Sequence, residues 1–296
     1  MTEKPELDSQ EHPQLIKYAE DVSKLYQDLK KENDLLRKAN HALVISYYQT
    51  VLMGFDLISL CNEFLGGHSK RVARYAGNLA EALAVDEDDK INIKLAALLH
   101  DMGLIGVPQK TLINILSGKE RSAETLGIYR QHPNVNIRPI TSNERFKDIA
   151  DIIRAHHENM DGSGFPNGLK GYEIPVESRI IAIVNGYDLV KQLNKKAIDP
   201  EKVISEMEKD VGTKYDINIF GTFKKIIIKQ DPFTDTINIS LDKLSPDMVL
   251  AKPIIAANGI MLLSAETEIR EDHIVSIKKY TKHHKSESQI IIYKPK

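Results

Sequence analysis

Apolar residues recur at heptad spacing near the start of the chain. Leu15, Val22, Leu29, Leu36 and Leu43 stand seven apart, Tyr18, Leu25 and Ala39 take the companion position, and Glu32 interrupts it with a charge. Lys24, Asp28, Lys30, Lys31 and Arg37 fill the other faces, and residues 14–46 hold no Gly or Pro. Four heptads with so narrow a stripe predict a coiled-coil helix over 14–46, with a homodimer through it as the expected partner. The competing reading is a long amphipathic helix packed on its own domain. Residues 1–13, polar and ending at Pro13, read as a disordered lead-in.

From 47 to about 230 the period is that of helices. His68, Val72, Tyr75, Ala76, Leu79 and Leu83 share one face. Asp86 is placed to cap the next helix, with Asp89 near its positive end. That helix carries Ile91, Leu95, Leu98 and Leu99 into His100-Asp101, and Ile149, Ile152 and Ile153 lead into His156-His157. Between the latter pair and a helix over Arg179–Val190, Gly and Pro are dense and predict irregular chain. From 231 the pattern changes to short β-branched runs: TINISL, MVLAKPII, IMLLSA and SQIIIYK. Asn258-Gly259 between two of them signals a hairpin. A small β-rich domain over 231–296, with one helix near Glu271–Tyr280, is expected as a site for a protein partner. The fold class is therefore mainly α: a long coiled-coil helix, a helical domain and a small β-rich domain.

Composition narrows the function. The 296 residues are 42% hydrophobic, enough for a real core, and the length suggests about two domains. A net charge of −2 gives no basic footprint for nucleic acid. One cysteine, Cys61, excludes an internal disulfide framework and suits a reducing cytoplasm. The N-terminus lacks an apolar signal segment, and the longest apolar runs fall far short of the ~20 residues of a membrane span. A cytoplasmic protein is the expectation.

Most of the central histidines follow apolar stripes that point inward, and a buried imidazole needs a hydrogen-bond partner or a metal. Taken singly, each has an ordinary reading: an inward histidine is more often a hydrogen-bonded core residue, and His132, before Pro133, reads as a loop histidine. The joint pattern points to a metal. Imidazole with carboxylate suits Fe, Mn, Zn and other divalent first-row ions, and the lack of clustered cysteine argues against a structural thiolate zinc site.

The segments HSKRVARYA, AALLHDMGLIGVP, QHP, IIRAHHENMDGSGFPNGLKGYEIP and SRIIAIVNGYD, in that order, resemble the HD-GYP subgroup of the HD phosphohydrolase superfamily over His68 to Asp188. The resemblance implies a helical domain with two divalent metal ions, Fe or Mn foremost, and hydrolysis of cyclic di-GMP or a related nucleotide. It implies that His68, His100 and Asp101 hold one metal, and that Asp101 bridges to a second held by His132, His156 and His157. Asp101 is thus the catalytic carboxylate of this reading.

Three positions depart from the subgroup. Leu104 stands where its HD motif continues to lysine, so a cation for the substrate phosphate is missing. Asn185 stands for an aspartate ligand and brings a carbonyl oxygen without charge, so the second metal is expected to be held better than the first. Phe165 replaces the tyrosine of the signature Gly164-Phe165-Pro166, keeping the ring and losing the hydroxyl. The loop with Gly162 and Gly164 is expected to border the site, although its glycines equally suit a tight connection. Glu158 is expected either to hydrogen-bond a ligand histidine or to be an ordinary helix-surface carboxylate. In place of arginines after the YD pair stand Lys191, Lys195 and Lys196, with Lys195 the expected phosphate contact; a solvated helix end is the alternative. His283-His284, between lysines, reads as a basic surface tip. The leading reading is a metal-dependent phosphodiesterase with impaired turnover. The alternatives are a catalytically degenerate signalling adaptor that binds metal or nucleotide, and hydrolysis of a different phosphoester.

Overall fold

The computed structural model describes residues 11–119, 122–137, 141, 146–193, 199–283 and 290–294. Residues 1–10 of the expected lead-in, Lys195, Lys196 and His284 lie outside them, as does the side chain of His283. The chain is mainly helical, as its periodicity predicts.

Helix α1 runs over Glu11–Cys61, beginning inside the expected lead-in and continuing well past residue 46. Pro13 lies in its first turn, where a missing N–H leaves no intrahelical bond unmade. The chain divides into two compact units, 1–51 and 52–296. In the first, Leu15, Val22, Leu29, Leu36 and Leu43 are all exposed among the described residues.

In the second unit, α2 (Glu63–Ala82) packs on α3 (Glu87–Leu99) and on α7 (Val176–Leu193), and α3 also packs on α6 (Lys147–Arg154). Asn62 caps α2 by accepting from Leu65 N at 3.1 Å. Asp86 caps α3, accepting from Asp89 N at 3.0 Å, as its position predicts. The face His68–Leu79 of α2 is buried, with Val72, Ala76 and Leu79 fully so. Helices α4 (Gln109–Leu116) and α5 (Ala123–Ile137) follow the His-Asp corner, and α8 (Pro200–Met207) and α9 (Ile217–Lys229) close the helical part. Among the described residues, no single helix is long and apolar enough to cross a membrane.

The β-rich segment holds β1 (Thr236–Ile239), β2 (Ile254–Ile255), β3 (Met261–Leu263), α10 (Glu271–His283) and β4 (Ile290–Tyr293). β1 pairs antiparallel with β4, Ile237 opposite Ile292. The Asn258-Gly259 hairpin forms between β2 and β3, with Gly259 at φ +81°. The run MVLAKPII is mostly irregular: Val249 and Leu250 make only single bridges. Pro253 removes a ladder donor just before β2, which shortens the strand.

This segment is fastened to the helices by buried polar groups. Asp231 accepts from the hydroxyls of Tyr75 and Tyr187, both at 2.7 Å, and pairs with Lys191. Lys191 is therefore committed to Asp231 rather than standing at a solvated helix end.

Candidate metal centre

Two adjacent pairs of the centre, His100-Asp101 and His156-His157, follow the ends of α3 and α6, while His68 and His132 come from within α2 and α5. Asp101 follows α3, and its two carboxylate oxygens face different imidazoles. Oδ1 lies 3.1 Å from His132 Nε2 and 3.9 Å from His156 Nε2. Oδ2 lies 3.3 Å from His100 Nε2 and 3.6 Å from His68 Nε2. Two groups able to hold a metal ion result, one of Asp101, His132, His156 and His157, the other of His68, His100 and Asp101. All are buried except His157, which is half-buried.

Each ring is turned by its other nitrogen. Near a helix C-terminus, carbonyls run out of amide partners. His100 Nδ1 donates to Ala97 O at 2.8 Å, and His156 Nδ1 donates to Ile153 O at 2.6 Å. A carbonyl only accepts, so Nδ1 carries the proton and Nε2 presents its lone pair to the cluster. His68 sits inside α2, where carbonyls are already used, and a carboxylate from α7 serves instead: Asp188 Oδ2 accepts from His68 Nδ1 at 2.7 Å.

His132 shows how a proline can build a site. The proline after it predicts a loop. Instead it lies inside α5, with Pro133 as the next helical residue. Pro133 has no N–H to give to the carbonyl four residues back, which is that of Tyr129. His132 Nδ1 takes that carbonyl at 2.5 Å. Pro133→Ala restores the competing amide donor. It is expected to stabilise α5 yet weaken metal binding by the His132 group roughly 10-fold, measurable as a higher melting temperature together with a weaker Mn²⁺ titration.

A metal fits these residues. His132 Nε2 and His156 Nε2 stand 3.4 Å apart. With both Nδ1 atoms donating to carbonyls, two lone pairs oppose each other, an arrangement that a shared cation or proton relieves. His68 Nε2, His157 Nε2 and Asn185 Oδ1 are buried without a hydrogen-bond partner among the described residues. Asn185 lies on α7, one turn before Asp188, on the face that serves His68. Burial holds His156 and His157 well below the usual histidine range, in the neutral form a metal needs. Burial also opposes the charge of Asp101, but His100 and His132 outweigh it and keep the carboxylate well below its usual range.

The glycine-rich loop is bound to the same helix end. Phe165 N donates to His157 O at 3.2 Å, and the Phe165 ring stacks on His157 with centroids 4.6 Å apart. A Cβ on Gly164 would lie 2.4 Å from Asn159 N, so only glycine fits there. Gly162 takes φ +84°. Glu158 takes neither expected role. It is buried and accepts from the backbone N–H groups of Asn167, Gly168 and Leu169 at 2.7–3.1 Å, anchoring the loop that includes Pro166.

Leu104, where the resemblance expects lysine, is fully buried and packs with Leu65 and Leu112, with Tyr129 against the same cluster. Tyr129 in turn lies 5.3 Å from both His132 and His157, centroid to centroid. An apolar wall therefore borders the second cup.

Two residues escaped the sequence reading. Asp188 is held well down, at about 2, because Arg71 outweighs the opposing effect of burial. Arg71 grips it with Nε to Oδ1 at 2.7 Å and Nη2 to Oδ2 at 3.0 Å. The available signal was their periodicity: Arg71 stands three after His68, and Asp188 three after Asn185.

The chain is similar to known proteins over this region. Residues 53–219 match the HD domain family. The 3'3'-cGAMP-specific phosphodiesterase 3 of Vibrio cholerae is 31% identical over 185 residues, covering 62% of this chain and 40% of that protein. A cyclic di-GMP phosphodiesterase of Thermotoga maritima is 31% identical over 208 residues, covering 67% of this chain and 55% of its own length. The cyclic di-GMP phosphodiesterase response regulator RpfG of Xanthomonas campestris is 37% identical over 121 residues, 40% of this chain and 31% of that one. The chain thus spans about half or less of the length of these relatives. With more than half of its residues matched, and with five histidines gathered around Asp101, the chain belongs to the HD domain family.

Proposed function

We propose that this chain is a metal-dependent phosphodiesterase acting on cyclic di-GMP or a related cyclic dinucleotide. The observation that carries the reading is the Asp101 carboxylate, each oxygen of which faces two imidazole Nε2 atoms. The residues would hold two divalent first-row ions, for which imidazole with carboxylate is a suitable donor set, with Fe or Mn foremost by the resemblance to the HD-GYP subgroup. When bound there, they would supply Lewis acidity, activating a water and stabilising charge on phosphorus. The protein's part is to hold six ligands with lone pairs inward and to keep Asp101 ionised. Tyr129, Phe165 and Leu104 exclude water on the side of the second cup, where the loop anchored by Glu158 meets His157. The first cup has Asn185 where a second carboxylate would neutralise charge, so it holds its metal less tightly than the second.

Anaerobic purification, then incubation with cyclic di-GMP and 3'3'-cGAMP in Mn²⁺ or Fe²⁺, tests this. Linear dinucleotide should appear for at least one substrate and not in EDTA. Bound metal without hydrolysis of either favours the second reading, a signalling adaptor that keeps the metal and has lost turnover. Leu104 and Asn185 are the specific observations behind that alternative.

The exposed heptad stripe of α1 supports a homodimer through that helix, and the β-rich segment remains the proposed site for a protein partner. Burial of the stripe in a coiled coil predicts its own test: Leu29→Glu with Leu36→Glu should turn a dimer into a monomer in light scattering at micromolar concentration. A monomeric unmutated chain would contradict it.

A further inference from the structure

We propose that Glu266, in the β-rich C-terminal segment, is a positioning residue for the first metal cup, acting on His68 through Arg71 and Asp188. The proposal rests on the metal-binding reading of the cluster and extends it to a part of the chain outside the match to the HD domain family, which ends at residue 219.

The path is continuous and buried. Glu266 Oε1 accepts from Arg71 Nη1 at 3.1 Å. Arg71 Nε and Nη2 grip the two oxygens of Asp188. Asp188 Oδ2 accepts from His68 Nδ1 at 2.7 Å, and His68 Nε2 faces Asp101. Glu266, Arg71, Asp188 and His68 are all buried. A buried guanidinium must place its donors in a fixed fork, and Glu266 takes the edge that Asp188 leaves open. Without that acceptor the fork is held from the Asp188 side alone, which loosens its grip on Asp188 and with it the carboxylate that fixes the His68 proton on Nδ1.

The C-terminal segment is shaped for this contact. Glu266 takes φ +61°, a left-handed conformation that side chains seldom adopt. The turn is tied by Glu266 N donating to Leu250 O at 2.8 Å, and Tyr293 in β4 donates its hydroxyl to Glu266 Oε1 at 2.8 Å. On either side, Ser264 and Thr267 accept from Lys70 Nζ at 2.9 and 3.1 Å, and Lys70 also pairs with Asp56 near the end of α1. The turn thus engages two consecutive cations of α2, directly after the first-cup ligand. Gly67, beside His68, lets it come close: a Cβ there would lie 3.1 Å from Arg71 Nη1 and 3.7 Å from the Glu266 side chain. Strained backbone recruited to bring one carboxylate onto a ligand-bearing helix is the pattern of a site support rather than of an incidental surface contact.

The test uses the full chain with Glu266→Ala, Glu266→Gln and Tyr293→Phe. The first readout is the His68 Nδ1–H proton resonance in metal-free protein. It should be downfield and slow to exchange in the unmutated chain and in Glu266→Gln, whose amide oxygen still accepts from Arg71. It should be lost or fast-exchanging in Glu266→Ala. The second readout is Mn²⁺ titration, where Glu266→Ala should weaken the weaker of two sites roughly 10-fold and leave the tighter one unchanged. If Glu266→Ala does not fold, Tyr293→Phe decides, with faster exchange of the same proton expected. A folded variant lacking the Glu266 carboxylate or its Tyr293 bond, with the His68 proton and both metal affinities unchanged, overturns the proposal. So does Glu266→Gln as damaged as Glu266→Ala, which would make the effect one of charge alone. If the unmutated chain takes up no metal, the phosphodiesterase reading fails, while the His68 resonance still decides the role of Glu266.

Discussion

Asp101→Asn is expected to abolish tight binding of both metals and to lower hydrolysis of a cyclic dinucleotide by roughly three decades or more. The reason is geometric. Both candidate cups use the same carboxylate, one oxygen each. An amide offers one carbonyl oxygen, no charge and an N–H₂ that would point at imidazole lone pairs or a cation. Metal-ion stabilisation of a phosphoryl group supplies several kcal/mol, and about 1.36 kcal/mol is a factor of ten in rate. In metal-free protein the change has a second consequence. Asp101 is the anion that holds His100 above the usual histidine range against burial, so Asp101→Asn should leave the cluster less able to hold a proton. Metal analysis by mass spectrometry and initial rates on cyclic di-GMP and 3'3'-cGAMP check both parts. Retention of two ions per chain by the variant would show that the cups do not share Asp101.

The second large effect concerns the two departures from the HD-GYP pattern, which the structure separates. Asn185→Asp places a carboxylate on the buried face of α7 that serves His68, one turn from Asp188. Without metal this is an unpaired buried charge near another carboxylate, and the apo protein should melt at lower temperature. With Mn²⁺ the added charge faces a cation, and the melting temperature should rise by more than in the unmutated chain, because a ligand stabilises by its affinity for the folded state alone. Turnover is expected to rise with it. Leu104→Lys behaves oppositely. The sequence reading treats a lysine there as a restored phosphate contact. Leu104, however, is fully buried between Leu65 and Leu112. Removing a packed leucine costs about 2–5 kcal/mol, before the cost of burying an ammonium group is added. The single Leu104→Lys variant should therefore unfold more readily in urea, and Asn185→Asp should carry any gain seen in the double variant. A double variant faster than Asn185→Asp alone, at undiminished stability, would refute that division.

The helices and the cluster were legible because both are written locally. The face of His68, Val72, Ala76 and Leu79, the Asp86 cap and the adjacent pairs His100-Asp101 and His156-His157 need only short-range spacing, and the structure places them accordingly. What fixes the rings was not legible. The carbonyls of Ala97 and Ile153 carry no sequence signal, and the one that turns His132 is set free by Pro133, a residue that suggested a loop instead. The carboxylate for His68 lies 120 residues away, and the acceptor for Arg71 lies 195 residues away. Glu158 misled for a similar reason: beside two histidines it reads as their partner, yet three loop amides claim it. Lys191 suited a solvated helix end in the sequence because Asp231, its buried partner, is 40 residues on. Polar groups in a core are satisfied wherever topology brings a partner, and pattern along the chain does not report that.

The central claim is that one carboxylate joins two imidazole cups of unequal strength. Mn²⁺ titration of the anaerobically prepared, metal-stripped chain, followed calorimetrically, tests it most directly. The account predicts two ions per chain in two steps, the tighter lost in His132→Ala, the weaker lost in His68→Ala, and both lost in Asp101→Asn. Fewer than one ion per chain, or two equal sites untouched by Asp101→Asn, would contradict it.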